Sequence, residues 1–282
     1  MTSQPPPIRR WLVEAATRID AALGAARVAR IVLPPLVEHP NKEGEFCAVQ
    51  LDDGSVGLAF TLLGDTLAAL HARGPAGAPP GAAARELVRG YATGDAAART
   101  LGLAAINALA RRLYDRAGFV PEDSTDSFGA LALAPGDRLG MVGHFSSLIE
   151  RARALGVPVT VLELRPELVR EEPGLVVTLD PTRLAGCNKF VSTSSLLLND
   201  TFEPVSALWR GADAVAIVGP SAGCPPDPLF AAGVSTVGTA WVADPEAFLA
   251  HLAAGEKWGA SSRKVTLARE RYPGLEALLA RV

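Results

Sequence analysis

The residues best suited to chemistry in this chain follow short apolar runs. Gly143-His144-Phe145 follows Leu139 to Val142, and Glu163 follows Val159 to Leu162. Thr193, Ser194 and Ser195 follow Phe190 to Ser192, and Gly219-Pro220-Ser221 follows Ala214 to Val218. An imidazole can act as a general acid/base, a metal ligand or an anion donor. A carboxylate closing a strand can hold a ribose diol or other hydroxyls. Small hydroxyl residues feeding a helix offer unpaired backbone N–H groups and a positive dipole end to an anion. Each position also has a structural reading. Ser and Gly cap turns and helices, a helix-start histidine can bond to backbone, and Glu163 can be a solvated loop carboxylate.

Several familiar chemistries fail on spacing. Gly136 to Gly143 contains no G-x-G-x-x-G, and His144-Phe145 puts bulk where a pyrophosphate needs glycine, which disfavours a standard nicotinamide site. Gly219-Pro-Ser-Ala-Gly223 matches G-x-S-x-G, and Asp244 and His251 follow in hydrolase order. A nucleophile elbow must enter a helix at once, whereas Cys224-Pro-Pro-Asp-Pro228 cannot continue one. A rigid loop presenting Ser221 to a ligand fits better. Cys47, Cys187, Cys224, His39, His71, His144 and His251 show no zinc-finger or H-E-x-x-H spacing. Cys224 follows a strand, on the rim of His144 and Glu163, while Cys187 precedes one and belongs at the opposite rim. Buried inert cysteine is the competing account.

These strand ends require a sheet. Short apolar strands alternate with helices after residue 126: Leu139 to Val142, Val159 to Leu162, Val176 to Leu179, Phe190 to Ser192, Ala214 to Val218 and Thr236 to Val242. Helices are expected at Ser146 to Leu155, Leu196 to Trp209, Pro228 to Ala232 and Pro245 to Ala254, with Asp244 as N-cap and Pro245 first. Glu270 to Arg281 is a candidate last helix. The rhythm predicts a mostly parallel sheet of roughly five or six strands, covered on both faces. In the Leu196 to Trp209 helix, Asn199, Asp200 and Thr201 fall near the first turns, and Asn199 and Thr201 join the candidate ligand site.

The first 125 residues differ. Ile8 to Leu23 places Trp11, Leu12, Ala15, Ala16, Ile19 and Leu23 on one helical face and Arg9, Glu14, Arg18 and Asp20 mostly away from it, with Gly24 as C-cap. Val28 to Val37 is a strand interrupted by Pro34-Pro35. Phe46 to Leu51 and Ser55 to Thr61 flank Asp52-Asp53-Gly54, a hairpin signal. Ala83 to Tyr91 and Ala96 to Ala117 are helical, with Gly102 able to admit another backbone. Gly74 to Gly81 is a loop. The Pro-rich Met1 to Pro7 is a loose tail without a signal core, and Pro121 to Ser127 is the expected boundary. The expectation is a compact α+β module over 1–125 and an α/β domain over 126–282.

Composition narrows the partners. Of 282 residues, 49% are hydrophobic and 20% charged, enough for a substantial core and against disorder. A formal net charge of −3 without a basic run argues against nucleic acid. No apolar run reaches membrane-spanning length. Three dispersed cysteines argue against a disulfide framework, so a reducing cytoplasm is expected. Oligomeric state is left open, a homo-oligomer included.

Arg99 to Leu109 (with Gly-Leu-Ala-Ala-Ile-Asn-Ala at its centre), Met141 to Phe145, the Glu163 strand end, Leu197 to Phe202, Val218 to Ser221, Gly233-Val234 and Gly238 together resemble the heavy-metal chelation family. The resemblance spans nearly the whole chain. It implies a Rossmann-like domain preceded by a module like the enolase N-terminal domain, and it implies metal handling. This chain departs from it at Ser192 to Ser195, where a Thr-Gly-Thr type turn is expected, and at Ser146, where proline often follows His-Phe. Asn107, mid-helix among apolar residues, then becomes a candidate to reach a ligand at the rim, or else to bond a domain-interface backbone group. A transition metal, if held by side chains, is expected on His144, Glu163 and Cys224. The leading reading is a small-molecule or metal-complex ligand in a cleft at the strand ends facing the N-terminal module. The alternatives are an enzyme on an anionic, nucleotide- or pterin-like substrate with His144 as acid/base, and a non-catalytic interaction module.

Overall fold

The computed structural model describes residues 7–36, 45–74, 80–124 and 131–282. Most of the expected tail, Val37, His39, residues 75–79 of the expected loop, and Thr125 to Ser127 of the expected boundary lie outside them. The N-terminal elements are α1 (Ile8–Leu23), β1 (Val28–Val32), β2 (Phe46–Leu51), β3 (Val56–Phe60), α2 (Thr66–Arg73), α3 (Ala84–Thr93) and α4 (Ala96–Arg116). The strands form an antiparallel three-stranded sheet in chain order. Helix α1 buries Leu12, Ala15, Ala16 and Ile19 as its spacing predicts. Asp20, expected to face away, is buried instead. Its carboxylate accepts the Ala26 N–H at 2.8 Å and so ties off the turn after the helix.

Then follow β4 (Glu122–Asp123), β5 (Leu139–Val142), α5 (Ser146–Ala154), β6 (Val159–Leu162), β7 (Arg170–Glu172), β8 (Leu175–Thr178), β9 (Lys189–Thr193), α6 (Phe202–Ser206), β10 (Ala214–Val218), α7 (Asp227–Ala231), β11 (Thr236–Val242), α8 (Pro245–Ala254), β12 (Ser262–Ala268) and α9 (Leu275–Leu279). One nine-stranded sheet runs β4-β12-β11-β10-β9-β5-β6-β8-β7. Its six central strands, β11 to β8 in that order, are parallel, and β4, β12 and β7 add antiparallel edges. The fold is therefore α/β with a mostly parallel sheet and a smaller α+β part ahead of it.

Helix α4 joins the two parts. Fifteen of its 21 residues are buried, so it is apolar nearly all round. Its alanines admit close neighbours. A Cβ on Gly57 of β3 would lie 2.1 Å from the Ala104 carbonyl oxygen, and one on Gly102 would lie 2.6 Å from the Tyr91 nitrogen of α3. The large sheet carries a different core on each face. Met141, Val191 and Ala216 pack under α5, whereas Phe190, Val215 and Ile217 join the core that contains α4. Strand alternation sends neighbouring residues to opposite faces.

Three expectations need correction. The helix expected over Leu196 to Trp209 is a 3₁₀ turn at Ser194–Leu197 and then the short α6. Asp200 has φ +60°, and Asn199 Oδ1 accepts from the Thr201 N–H (3.3 Å) and hydroxyl (2.5 Å). This local turn outcompetes the helix. The C-terminal segment forms β12 and only the five-residue α9, where one longer helix was expected. Finally, β4 lies before residue 125 yet pairs with β12.

Candidate functional site

The parallel strands run outward in two directions. From β5 the chain steps to β6 and β8. From β9, on the other side of β5, it steps to β10 and β11. The strand order therefore reverses between β5 and β9, and in open α/β sheets the crevice beyond the carboxyl ends at such a point is where ligands bind.

The two ends meet there. Gly143 has φ +85° and donates its N–H to Leu162 O at 3.0 Å, and a Cβ added to it would lie only 3.1 Å from Thr193 Cγ2. A side chain at this position would be strained and crowded at once. On β9, Thr193 Oγ1 lies 3.2 Å from Ser195 Oγ and accepts the Ser195 N–H at 3.3 Å. Gly219, at the end of β10 with φ +143°, sits against the buried Ser194, whose Oγ would be 2.2 Å from any added Cβ. Helix α5 begins at Ser146 with no side chain capping its start. Its first turn thus points N–H groups toward the crevice.

His144 stands beside that helix start. Its Nε2 lies 3.2 Å from Arg170 Nη2, and its Nδ1 lies 3.4 Å from Ser146 Oγ. A guanidinium can only donate, so Nε2 is the acceptor and the proton belongs on Nδ1. Arg170, on β7, also donates to Glu172 at 3.0 Å and to Leu168 O at 3.3 Å. Phe145 packs into the core under α5. Glu163 closes β6 through its N–H to Thr178 O (2.9 Å). Its carboxylate accepts the Leu164 N–H at 3.1 Å, with Arg165 at 3.7 Å.

The remaining expected residues lie elsewhere. Ser221 is buried, and its Oγ accepts the Phe60 N–H at 2.9 Å. Asn107 donates to Leu58 O at 2.7 Å and to Ser221 O at 2.9 Å. Ser221 and Asn107 thus join β3, α4 and the loop after β10 on the α4 face, whereas His144 and Phe145 sit on the α5 face. Pro220 lines a small cavity next to Asn107. Asn199 and Thr201 are engaged with each other, and Asp200 is held by Arg9 at 2.6 Å and Arg99 at 3.0 Å. The structure therefore divides the expected set between two faces.

The expected metal donors do not assemble. Among the described residues, no group of three His, Cys, Asp or Glu side chains could hold a metal ion. Cys224 is fully buried in the α4 core, and burial pushes its thiol up to about 12. A protonated, dry thiol is a poor metal ligand. Cys187 precedes β9, as expected, and burial also raises its thiol.

Sequence reasoning missed Arg170, Arg9 and Arg99. Arginine is common on surfaces, and nothing local marks which one will face a histidine 26 positions away. Asp200 carried a signal, since an Asn-Asp pair favours left-handed turn geometry.

The sequence matches a family model described as "Putative heavy-metal chelation" (DUF364) over residues 126–270, and a second with the same description (DUF4213) over residues 44–110. No curated protein matches. Two solved structures of DUF364 proteins of unknown function are similar. One, from Pyrococcus horikoshii, is 16% identical with a TM-score of 0.66, covering 91% of this chain and 99% of that one. The other, from Desulfitobacterium hafniense DCB-2, is 20% identical with a TM-score of 0.64, covering 92% and 99%. These likenesses show a shared fold.

Proposed function

Given that the chain belongs to the DUF364 family, described as "Putative heavy-metal chelation", we propose that it binds a small anion, or a heavy-metal ion carried in an anionic complex, across the reversal point between β5 and β9. One observation carries this reading. The uncapped start of α5, Gly143, the Thr193 and Ser195 hydroxyls and the His144–Arg170 pair gather at the place where the strand order reverses. Helix-start N–H groups and a guanidinium favour negative charge, and hydroxyls add orientable donors. A bare cation is less well served, because Arg170 already faces the accepting nitrogen of His144. In a complex, the anionic part would draw Arg170 and leave the imidazole free to meet zinc, copper or nickel.

A catalytic role for His144 has less support, since a substrate proton would first have to displace the guanidinium. The test is calorimetry with citrate, with nickel, copper and zinc ions, and with their citrate complexes. Citrate or its complexes should bind, and His144→Ala or Arg170→Gln should weaken them about tenfold or more. Cys224→Ser should leave affinity unchanged. Bare ions binding as tightly as the complexes, or affinity lost in Cys224→Ser alone, would overturn the proposal.

A further inference from the structure

A second feature lies on the opposite face, away from His144. A cavity of about 20 Å³, partly open to solvent, is bordered by β3, α4, the loop after β10, β11 and β12; Asn107, Arg111, Gly223, Thr239 and Trp241 are among its walls. Asn107 is 3% exposed. Both of its amide hydrogens are used, toward Leu58 O at 2.7 Å and Ser221 O at 2.9 Å. This fixes the amide orientation, because the reverse one would set Oδ1 against two carbonyl oxygens. Oδ1 itself has no partner. A buried acceptor left dry costs stability, and natural structures rarely leave one so.

We infer that this cavity binds one uncharged hydrogen-bond donor of the size of a water molecule, held on Asn107 Oδ1. Size sets the first limit, since a cavity of this volume holds about one water. Charge sets the second. The Arg111 guanidinium lies 4.0 Å over the Trp241 ring, bonds Val242 O at 2.7 Å and pairs with Asp115 at 2.7 Å; even paired, a guanidinium in the wall disfavours a second cation beside it. The unpaired oxygen repels an anion. Thr239 supplies a second polar group: its hydroxyl reaches Pro220 O at only 3.4 Å, a long contact that leaves it able to accept. The occupant is then the third partner of a side chain that already ties β3 to the loop after β10. The joint between the two parts of the molecule is closed through a bound donor as well as by direct contact.

Gly223→Ala tests this. The added methyl would lie 3.4 Å from Asn107 Cβ and 3.7 Å from Oδ1, which are ordinary contacts, and Gly223 does not have the positive φ that would strain alanine. Filling an empty cavity, and replacing glycine, should both raise Tm. Displacing a donor bound to Oδ1 should lower it, by about 2 °C or more. Crystal structures of both proteins at a resolution that shows waters decide between displacement and strain. The expected result is density within hydrogen-bond distance of Oδ1 in the wild type, absent in the variant, together with the lower Tm. A higher Tm, or a wild-type cavity with no density, overturns the inference.

Discussion

At the scale of single residues, the buried thiols give this protein a distinct alkaline behaviour. Burial pushes Cys47 and Cys224 from the usual 9.0 to about 12. Above pH 9 the unfolded chain releases these protons while the folded chain keeps them. Stability is therefore fully present below pH 9 and falls as pH rises toward 12, by on the order of 4 kcal/mol per thiol at the upper end. Urea unfolding at pH 8 and pH 10.5 should show the loss, and Cys224→Ala should flatten the slope; equal slopes in both proteins would refute the assignment. Ser221 makes a separate prediction. Ser221→Ala leaves the half-buried Phe60 N–H without its hydroxyl acceptor and should cost about 1–2 kcal/mol, with citrate affinity unchanged. A loss of affinity at full stability would return Ser221 to the binding site. Both residues show the limits of sequence at this scale. Their positions after β10 were legible from the apolar run before them, but the direction of each side chain was not. That direction depends on α4 and β3, which lie more than 100 positions away.

At the scale of elements, strands and helices with strong periodicity were readable. Helices α1, α4 and α8 and strands β5, β6, β10 and β11 fall within a residue or so of their expected limits. The breaks were not readable in the same way. Leu196 to Trp209 has helical composition, but a left-handed Asp200 and the Asn199–Thr201 turn divide it. Strands β4 and β7 were missed because such short, charged strands have no buried alternation of their own, and pairing with a neighbour makes them strands; β12 does alternate, burying Val265 and Leu267, but only over its second half, after Arg263 and Lys264. Close packing of elements gives a sharper test. At Gly57 an added methyl would fall 2.1 Å from Ala104 O and 2.2 Å from Ala108 N, both backbone atoms that cannot rotate aside. Gly57→Ala should push β3 off α4 and cost about 3 kcal/mol, toward the upper end for overpacking. Gly54→Ala is the control, since nothing lies within 4 Å of that position and its cost should come only from φ +90°. If the two variants lose the same stability, the close approach of β3 to α4 has been misjudged.

At the scale of the whole molecule, composition and rhythm suggested two units, 1–125 and 126–282, and the contacts between them are extensive. One continuous core runs from Leu12 and Ile19 of α1 through α4 to Phe190, Ile217 and Val237 of the large sheet. The polar contacts follow the same path. Arg9 and Arg99 share the Asp200 carboxylate, the Tyr91 hydroxyl donates to Leu197 O at 2.7 Å, and the Ile8 N–H donates to Glu203 at 3.0 Å. Four groups of the N-terminal part therefore hold the segment that leaves the hydroxyl-bearing end of β9. Removing residues 1–125 would strip α4 from the sheet, expose Phe190, Val215 and Ile217, and take away β4. An isolated 126–282 fragment should consequently bind a hydrophobic dye and lack a cooperative unfolding transition, whereas the full chain should unfold in one calorimetric step with matching calorimetric and van't Hoff enthalpies. Two resolved transitions, or a fragment that melts cooperatively, would mean that the sheet is stable without α4. The segment from Leu197 to Glu203 adds a finer expectation to the same experiment. Asp200→Ala removes the carboxylate between two arginines at a largely exposed site, so the stability cost should stay within about 1 kcal/mol. Its effect should appear instead as faster amide exchange over 197–203, because the tie to the N-terminal part, rather than the core beneath it, is what the substitution loosens.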